Sequence, residues 1–84
     1  MSYEIDIPIE VRPNIKLVMD RNKGKITWPF SDLRFIMLVY YRYIARLYPG
    51  ETPESRTKQD ITCNNCRVKA LGRVRMEMLK WQDE

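Results

Sequence analysis

The sequence predicts an α+β fold in which a small antiparallel sheet precedes two helices. Three patterns indicate this: alternating apolar and polar residues near the start, a turn-forming stretch after them, and two later segments with helical spacing. The sheet, a meander or a hairpin, is predicted over about 3–28, and the helices over about 32–48 and 64–82. The alternative is a mainly α protein in which residues 1–12 form an extended arm that adds a strand to a neighbouring molecule.

The first predicted strand depends on a period of two residues. Apolar side chains occupy every second position from Tyr3 to Val11, which places them on one face of a strand. Pro8 lacks an amide hydrogen, so this strand should lie at an edge of the sheet. The alternation continues to Asp20, and the stretch 21–24 is the predicted turn before a short return strand.

The first predicted helix has no continuous polar face. Its apolar stripe, which should face the sheet, is Leu33, Ile36, Met37, Tyr40, Ile44 and Leu47. Its opposite side is also mostly apolar, whereas a surface helix normally shows charge there. Because 84 residues offer little material to cover two sides, we expect the second side to meet the C-terminal helix or another molecule. The predicted partner-binding residues are Phe35, Leu38, Val39, Tyr41, Arg42, Arg46 and Tyr48.

The chain length predicts one small domain over residues 1–84. The stretch 49–62 is polar, contains two prolines and a glycine, and is predicted to be a loop between the two helices. The second helix has its own apolar stripe, formed by Ala70, Leu71, Val74, Met78 and Trp81.

The charge balance permits contact with nucleic acid without requiring it. The net charge is +4 and the pI is about 9.3. A small basic nucleic-acid-binding accessory protein is therefore the alternative function, acting through the second helix. Its candidate phosphate contacts are Arg67, Lys69, Arg73, Arg75 and Lys80. The same residues suit a solvated helix face, which is the favoured interpretation because no helix-turn-helix, zinc-finger or RNA-binding motif is present.

The tyrosines of the first helix are interleaved with arginines, a pattern that can stack nucleic-acid bases. The same two residue types are enriched at protein interfaces. We favour a role in the core and at an interface over base stacking.

Cys63 and Cys66, separated by two residues at the start of the second helix, could share a zinc ion or form a disulfide. Structural zinc takes four ligands, and the sequence contains two cysteines and no histidine. A zinc site would need the same pair from a second chain, so a zinc-bridged dimer is the second alternative. The favoured interpretation is two reduced structural cysteines and no cofactor.

The composition argues against an enzyme, because histidine is absent and no glycine-rich phosphate loop is present. The predicted function is a non-catalytic protein-binding or assembly module with a protein partner or a second copy, without a small-molecule substrate. Small basic proteins of this kind are common among phage and mobile-element products, which suggests a virion component or an inhibitor of a host complex. The acidic start and the short apolar runs predict a cytoplasmic protein, or one in a virion, without a membrane partner.

Overall fold

The computed structural model describes residues 7–81, and these residues form helices with no strand among them. The helices are α1 (Arg12–Arg21), α2 (Phe30–Val39), α3 (Pro53–Asp60) and α4 (Asn64–Leu79). The prediction of an antiparallel sheet over 3–28 is therefore wrong, and the mainly α alternative fits. Residues 1–6, which include the start of the predicted first strand and half of the predicted arm, lie outside the described residues.

Helix α1 replaces part of the predicted sheet because its apolar residues also fit a helical period. The residues with buried side chains follow the spacing of one helix face: Arg12, Ile15, Val18, Met19 and Asn22. A strand would place Ile15, Leu17 and Met19 on one side, yet Leu17 is 59% exposed. Pro13 lies in the first turn of the helix, where its missing N–H does not interrupt a helical hydrogen bond.

Helix α2 is the central element of the fold, which explains why it has no polar face. Ile36 and Met37 are both 0% exposed, and α2 contacts both α3 and α4. The helix continues through a π-helical turn, Tyr40–Ile44, and ends where Ala45 adopts an extended conformation. The predicted helix of 32–48 is therefore shorter at its carboxyl end. Its two apolar sides are covered largely within one chain.

Helix α3 lies in the segment that was predicted to be the loop 49–62. Thr52 caps it: the Ser55 N–H donates to Thr52 Oγ1 over 3.1 Å, and the Thr52 N–H donates to Ser55 Oγ over 3.0 Å. This reciprocal pair satisfies two amide groups that would otherwise lack partners, and Pro53 suits the first helical position. The helix brings Thr57 and Asp60 into the interior.

Helix α4 begins after Cys63, whose Sγ accepts a hydrogen bond from the Cys66 N–H over 3.3 Å. Ala70 and Val74 are 0% exposed, so the predicted stripe faces the core. Trp81, just beyond the helix, is 4% exposed. None of the helices in residues 7–81 is both long and apolar enough to cross a membrane.

A polar cluster joins the end of α1 to the start of α2. The carboxylate of Asp32 accepts hydrogen bonds from Arg21 Nε over 3.0 Å and from Asn22 Nδ2 over 2.8 Å, and it pairs with the Arg21 guanidinium. The hydrogen bonds from Arg21 and Asn22 lower the pKa of Asp32, because they outweigh the opposing effect of burial. The negative charge also lies in the first turn of α2, where the helix dipole favours it.

Acid is expected to weaken the fold through this cluster. Because the pKa of Asp32 is lowered in the folded state, its contribution is fully present above the ordinary value of 3.8 and is lost as the pH falls through the folded value. In Asp32→Asn, the urea midpoint should therefore fall less steeply with acid than in the wild type. Asp20→Asn, at an exposed carboxylate on α1, is the matched control. Identical acid dependence in wild type and Asp32→Asn would contradict this role.

Candidate binding sites

The predicted partner-binding residues do not form one exposed patch. Val39 and Tyr41 are buried, at 4% and 5% exposure, so they belong to the core. Phe35 and Leu38 are half-buried. The remaining three are exposed: Arg42, Arg46 and Tyr48.

A small groove beside α2 is lined by four of the predicted residues. It has a volume of about 290 Å³, and its lining includes Phe35, Leu38, Val39 and Arg42. Arg42 Nη2 lies 2.9 Å from Glu54 Oε1 in an exposed ion pair, which contributes little to stability. The groove exposes little apolar surface, because its hydrophobic side chains are buried or half-buried.

A larger groove separates α1 from α4, and we call it the α1–α4 groove. It has a volume of about 790 Å³. Its apolar lining residues are Pro13, Leu17, Met19, Met78 and Leu79. Leu17 on α1 is 59% exposed and Leu79 on α4 is 64% exposed. Two large apolar side chains thus remain in contact with solvent within one concave surface.

The apolar surface extends along the side of α4 that faces away from the core. Val68, Gly72, Met76 and Leu79 recur at helical spacing on this side, and we call them the outer α4 face. Val68 and Met76 are each 60% exposed. A Cβ atom at Gly72 would meet nothing within 4 Å, so no contact in the described chain requires glycine there. The helix with an uncovered second apolar side is therefore α4 rather than α2.

The α1–α4 groove carries more positive than negative charge. Lys16, Lys23 and Arg75 line it, and Asp20 is the acidic residue among the lining side chains. The acidic residue of α4, Glu77, is 8% exposed, and its Oε1 lies 3.2 Å from Lys80 Nζ. The outer surface of this region is consequently apolar with basic margins.

A third concave surface lies between the π-helical turn, α3 and α4, and we call it the basic–tyrosine cleft. It has a volume of about 430 Å³. Its lining residues are Tyr40, Tyr41, Ile44, Ala45, Arg46, Tyr48, Arg56, Cys66, Lys69 and Arg73. It combines members of the predicted partner-binding set with Lys69 and Arg73 of the predicted nucleic-acid set. No carboxylate is among these lining residues.

The other predicted phosphate contacts lie elsewhere. Arg67 Nη1 donates to the carbonyl oxygen of Ile61 over 2.7 Å, so this guanidinium joins α4 to the end of α3. Arg75 lines the α1–α4 groove, and Lys80 pairs with Glu77. The five residues therefore do not form one continuous basic surface.

Arg56 lines the cleft, but its guanidinium forms ion pairs with two carboxylates. Its guanidinium lies 3.0 Å from Asp60 Oδ2 and 3.2 Å from Glu51 Oε1. The Tyr41 hydroxyl also donates to Asp60. Burial, together with the Asp60 carboxylate, raises the pKa of Tyr41 to about 12. Burial also acts to raise the pKa of Asp60, but the hydrogen bonds from Tyr41 and Arg56 outweigh it and lower that pKa. These groups hold the π-helical turn against α3.

Three cations of the cleft remain available to a ligand. Within residues 7–81, Arg46, Lys69 and Arg73 have no carboxylate partner, and all three are exposed. Tyr48, beside them, is 75% exposed. Its backbone N–H donates to Glu51 Oε1 over 2.9 Å, which holds the backbone in place and leaves the ring exposed to solvent.

The two cysteines are joined to each other in the structure. Cys63 and Cys66 form a disulfide with a Cα–Cα distance of 5.2 Å, whereas the sequence favoured reduced thiols. No group of three or more potential metal-ligating side chains occurs in the described part of the chain. A zinc-bridged dimer would first require reduction of this bond, and it stays a prediction.

Comparison of the chain with protein-family models, curated proteins and solved structures finds no match in any of the three. The sequence did not identify four exposed apolar residues as binding residues: Leu17, Val68, Met76 and Leu79. The spacing of the last three on one helix side could have revealed them.

Proposed function

We propose that this protein is a non-catalytic binding module that receives an acidic amphipathic segment of a partner protein. The segment would lie in the α1–α4 groove and against the outer α4 face. The observation that carries the proposal is the exposure of Leu17 and Leu79, at 59% and 64%, within one concave surface of about 790 Å³.

The apolar surface supports a protein partner. Exposed apolar side chains that are contiguous and rimmed by polar groups are typical of interaction sites, because burying them in a complex removes them from water. Helical partners commonly place apolar side chains at intervals of three and four residues into such grooves. Gly72 would let a partner backbone approach α4 closely, since nothing in the described chain fills the space beside it.

The charges favour an acidic partner over a second copy of this chain. Lys16, Lys23 and Arg75 line the groove, and a second copy would bring the same basic groups against them. Like charges at an interface oppose association, whereas carboxylates on a partner would accelerate it and fix its register. The origin in a phage or mobile element, and the role as a virion component or inhibitor, stay predictions.

Selection from a library of displayed peptides tests the proposal. The wild type should enrich peptides with apolar residues at helical spacing and flanking carboxylates. Leu17→Glu and Leu79→Glu should each lose binding to these peptides by about tenfold or more, because each adds a negative charge to the apolar surface. Phe30→Glu is the matched control, since Phe30 is also apolar and 66% exposed but lines neither the groove nor the cavity beside Val68.

Two outcomes would contradict the proposal. Peptides that bind the wild type and both groove variants equally would place the binding site elsewhere. A dimer detected by sedimentation velocity, and dissociated by Leu79→Glu but not by Phe30→Glu, would make the surface an interface between copies. The proposal predicts a monomer in the absence of a partner.

A further inference from the structure

The basic–tyrosine cleft has features that the proposed protein-binding function does not use. It shares no lining residue with the α1–α4 groove. It presents three cations without carboxylate partners in the described chain, together with an exposed aromatic ring. This combination differs from the apolar surface of the groove, so a different class of ligand is implied.

The cations suit a ligand with several phosphates. Arg46 follows the π-helical turn, and Lys69 and Arg73 lie one helical turn apart on α4. They therefore approach the cleft from two elements, as contacts to successive phosphates would require. Arginine and lysine bind phosphates strongly because the complex releases condensed counterions. Arg56 also lines the cleft, but its guanidinium is paired with Glu51 and Asp60, so we do not count it among the phosphate contacts.

The tyrosines suit an unpaired base. The rings of Tyr40 and Tyr41 are buried, and their centroids lie 5.0 Å apart with an edge-on arrangement, so they form a rigid wall. Tyr48 leaves its ring in solvent at the margin of the cleft. An exposed ring beside cations is a platform on which a base can stack. Bases in a duplex are already stacked and paired, so this platform favours a single strand.

We infer that the basic–tyrosine cleft binds a short stretch of single-stranded nucleic acid. Arg46, Lys69 and Arg73 contact phosphates, and Tyr48 stacks on a base. With three phosphate contacts to a single strand, the logarithm of the association constant should fall with the logarithm of salt concentration with a slope of about −2.

Fluorescence anisotropy with a labelled single strand of about 12 nucleotides tests this site. The titration is run from about 50 mM to about 200 mM salt. Lys69→Gln/Arg73→Gln should weaken binding about tenfold more than the control, and should reduce the magnitude of the salt slope by about 1.4. The control is Arg34→Gln/Lys58→Gln, which removes two positive charges at exposed positions outside the cleft.

The stacking contact is tested separately. Tyr48→Ala should weaken binding by about tenfold, whereas Tyr48→Phe should keep wild-type affinity because it retains the ring. A duplex of the same length, and an acidic peptide of glutamates, should bind more weakly than the single strand and should be insensitive to Tyr48→Ala.

Three results would overturn the inference. The first is no binding of the single strand at the lowest salt concentration. The second is an equal loss of affinity in the cleft variant and the charge control, which would indicate a general effect of net charge. The third is equal binding of the glutamate peptide or the duplex together with no effect of Tyr48→Ala.

Discussion

Ile36→Ala is expected to lower the free energy of unfolding by about 2–5 kcal/mol. Ile36 is 0% exposed and lies in α2, which contacts α3 and α4 and continues into the π-helical turn. The substitution removes buried apolar surface and leaves a cavity that the surrounding helices cannot fill completely. A domain of this size is stabilised by only about 5–15 kcal/mol, so the loss would be a large fraction of the total.

Leu38→Ala provides the comparison for Ile36→Ala. Leu38 lies two positions further along the same helix but is half-buried, so its truncation should have a clearly smaller effect. Urea denaturation followed by far-ultraviolet circular dichroism gives both values. Equal losses in the two variants would contradict the central position of α2.

Trp81→Ala is expected to lower the free energy of unfolding by about 3–5 kcal/mol. Trp81 is 4% exposed just beyond the end of α4. Its ring also binds α1: the Arg12 guanidinium carbon lies 5.1 Å from the ring centroid, and Lys16 Nζ lies 5.9 Å from it. The indole therefore joins the two helices that form the α1–α4 groove, and its removal deletes both core packing and cation–π contacts.

Tyr48→Ala is the matched control for Trp81→Ala. Tyr48 is an aromatic residue at 75% exposure, and its truncation should change stability by less than about 0.5 kcal/mol. The same denaturation measurement applies to both variants. A loss below about 1 kcal/mol for Trp81→Ala would show that the end of α4 is not fixed against α1.

The sequence predicted helices where α2 and α4 lie, but it predicted strands where α1 lies. The alternation at Ile15, Leu17 and Met19 is compatible with a strand, yet a helix buries Ile15, Val18 and Met19 instead. Short apolar segments fit both periods, and tertiary packing decides between them. Pro13 favoured a helix start at this position.

Helix α3 was missed although its capping residues are visible in the sequence. Thr52, Pro53 and Ser55 form a helix start, but the segment has few apolar residues and no amphipathic stripe. Its helix is stabilised by the cap and by tertiary contacts of Thr57 and Asp60, which the sequence pattern does not reveal.

The candidate sites were only partly predictable, because each combines residues that are distant in the chain. The sequence identified Tyr48, Lys69 and Arg73 but placed them in two separate sites, and the fold brings them into one cleft. The sequence indicated that the second apolar side of α2 needs cover, and it predicted a partner-binding surface there. The chain itself supplies most of that cover, and the exposed apolar surface occurs on α4.

We propose that the binding surface for a partner protein lies on the α1–α4 groove and the outer α4 face. The most direct test is a titration of isotope-labelled protein with the acidic peptide that binds most strongly in the selection, followed by backbone amide chemical shifts. We expect the largest shift changes in residues 13–24 and 68–79, with little change in residues 35–43. Changes concentrated in residues 35–43, or none in either helix of the groove, would contradict the claim.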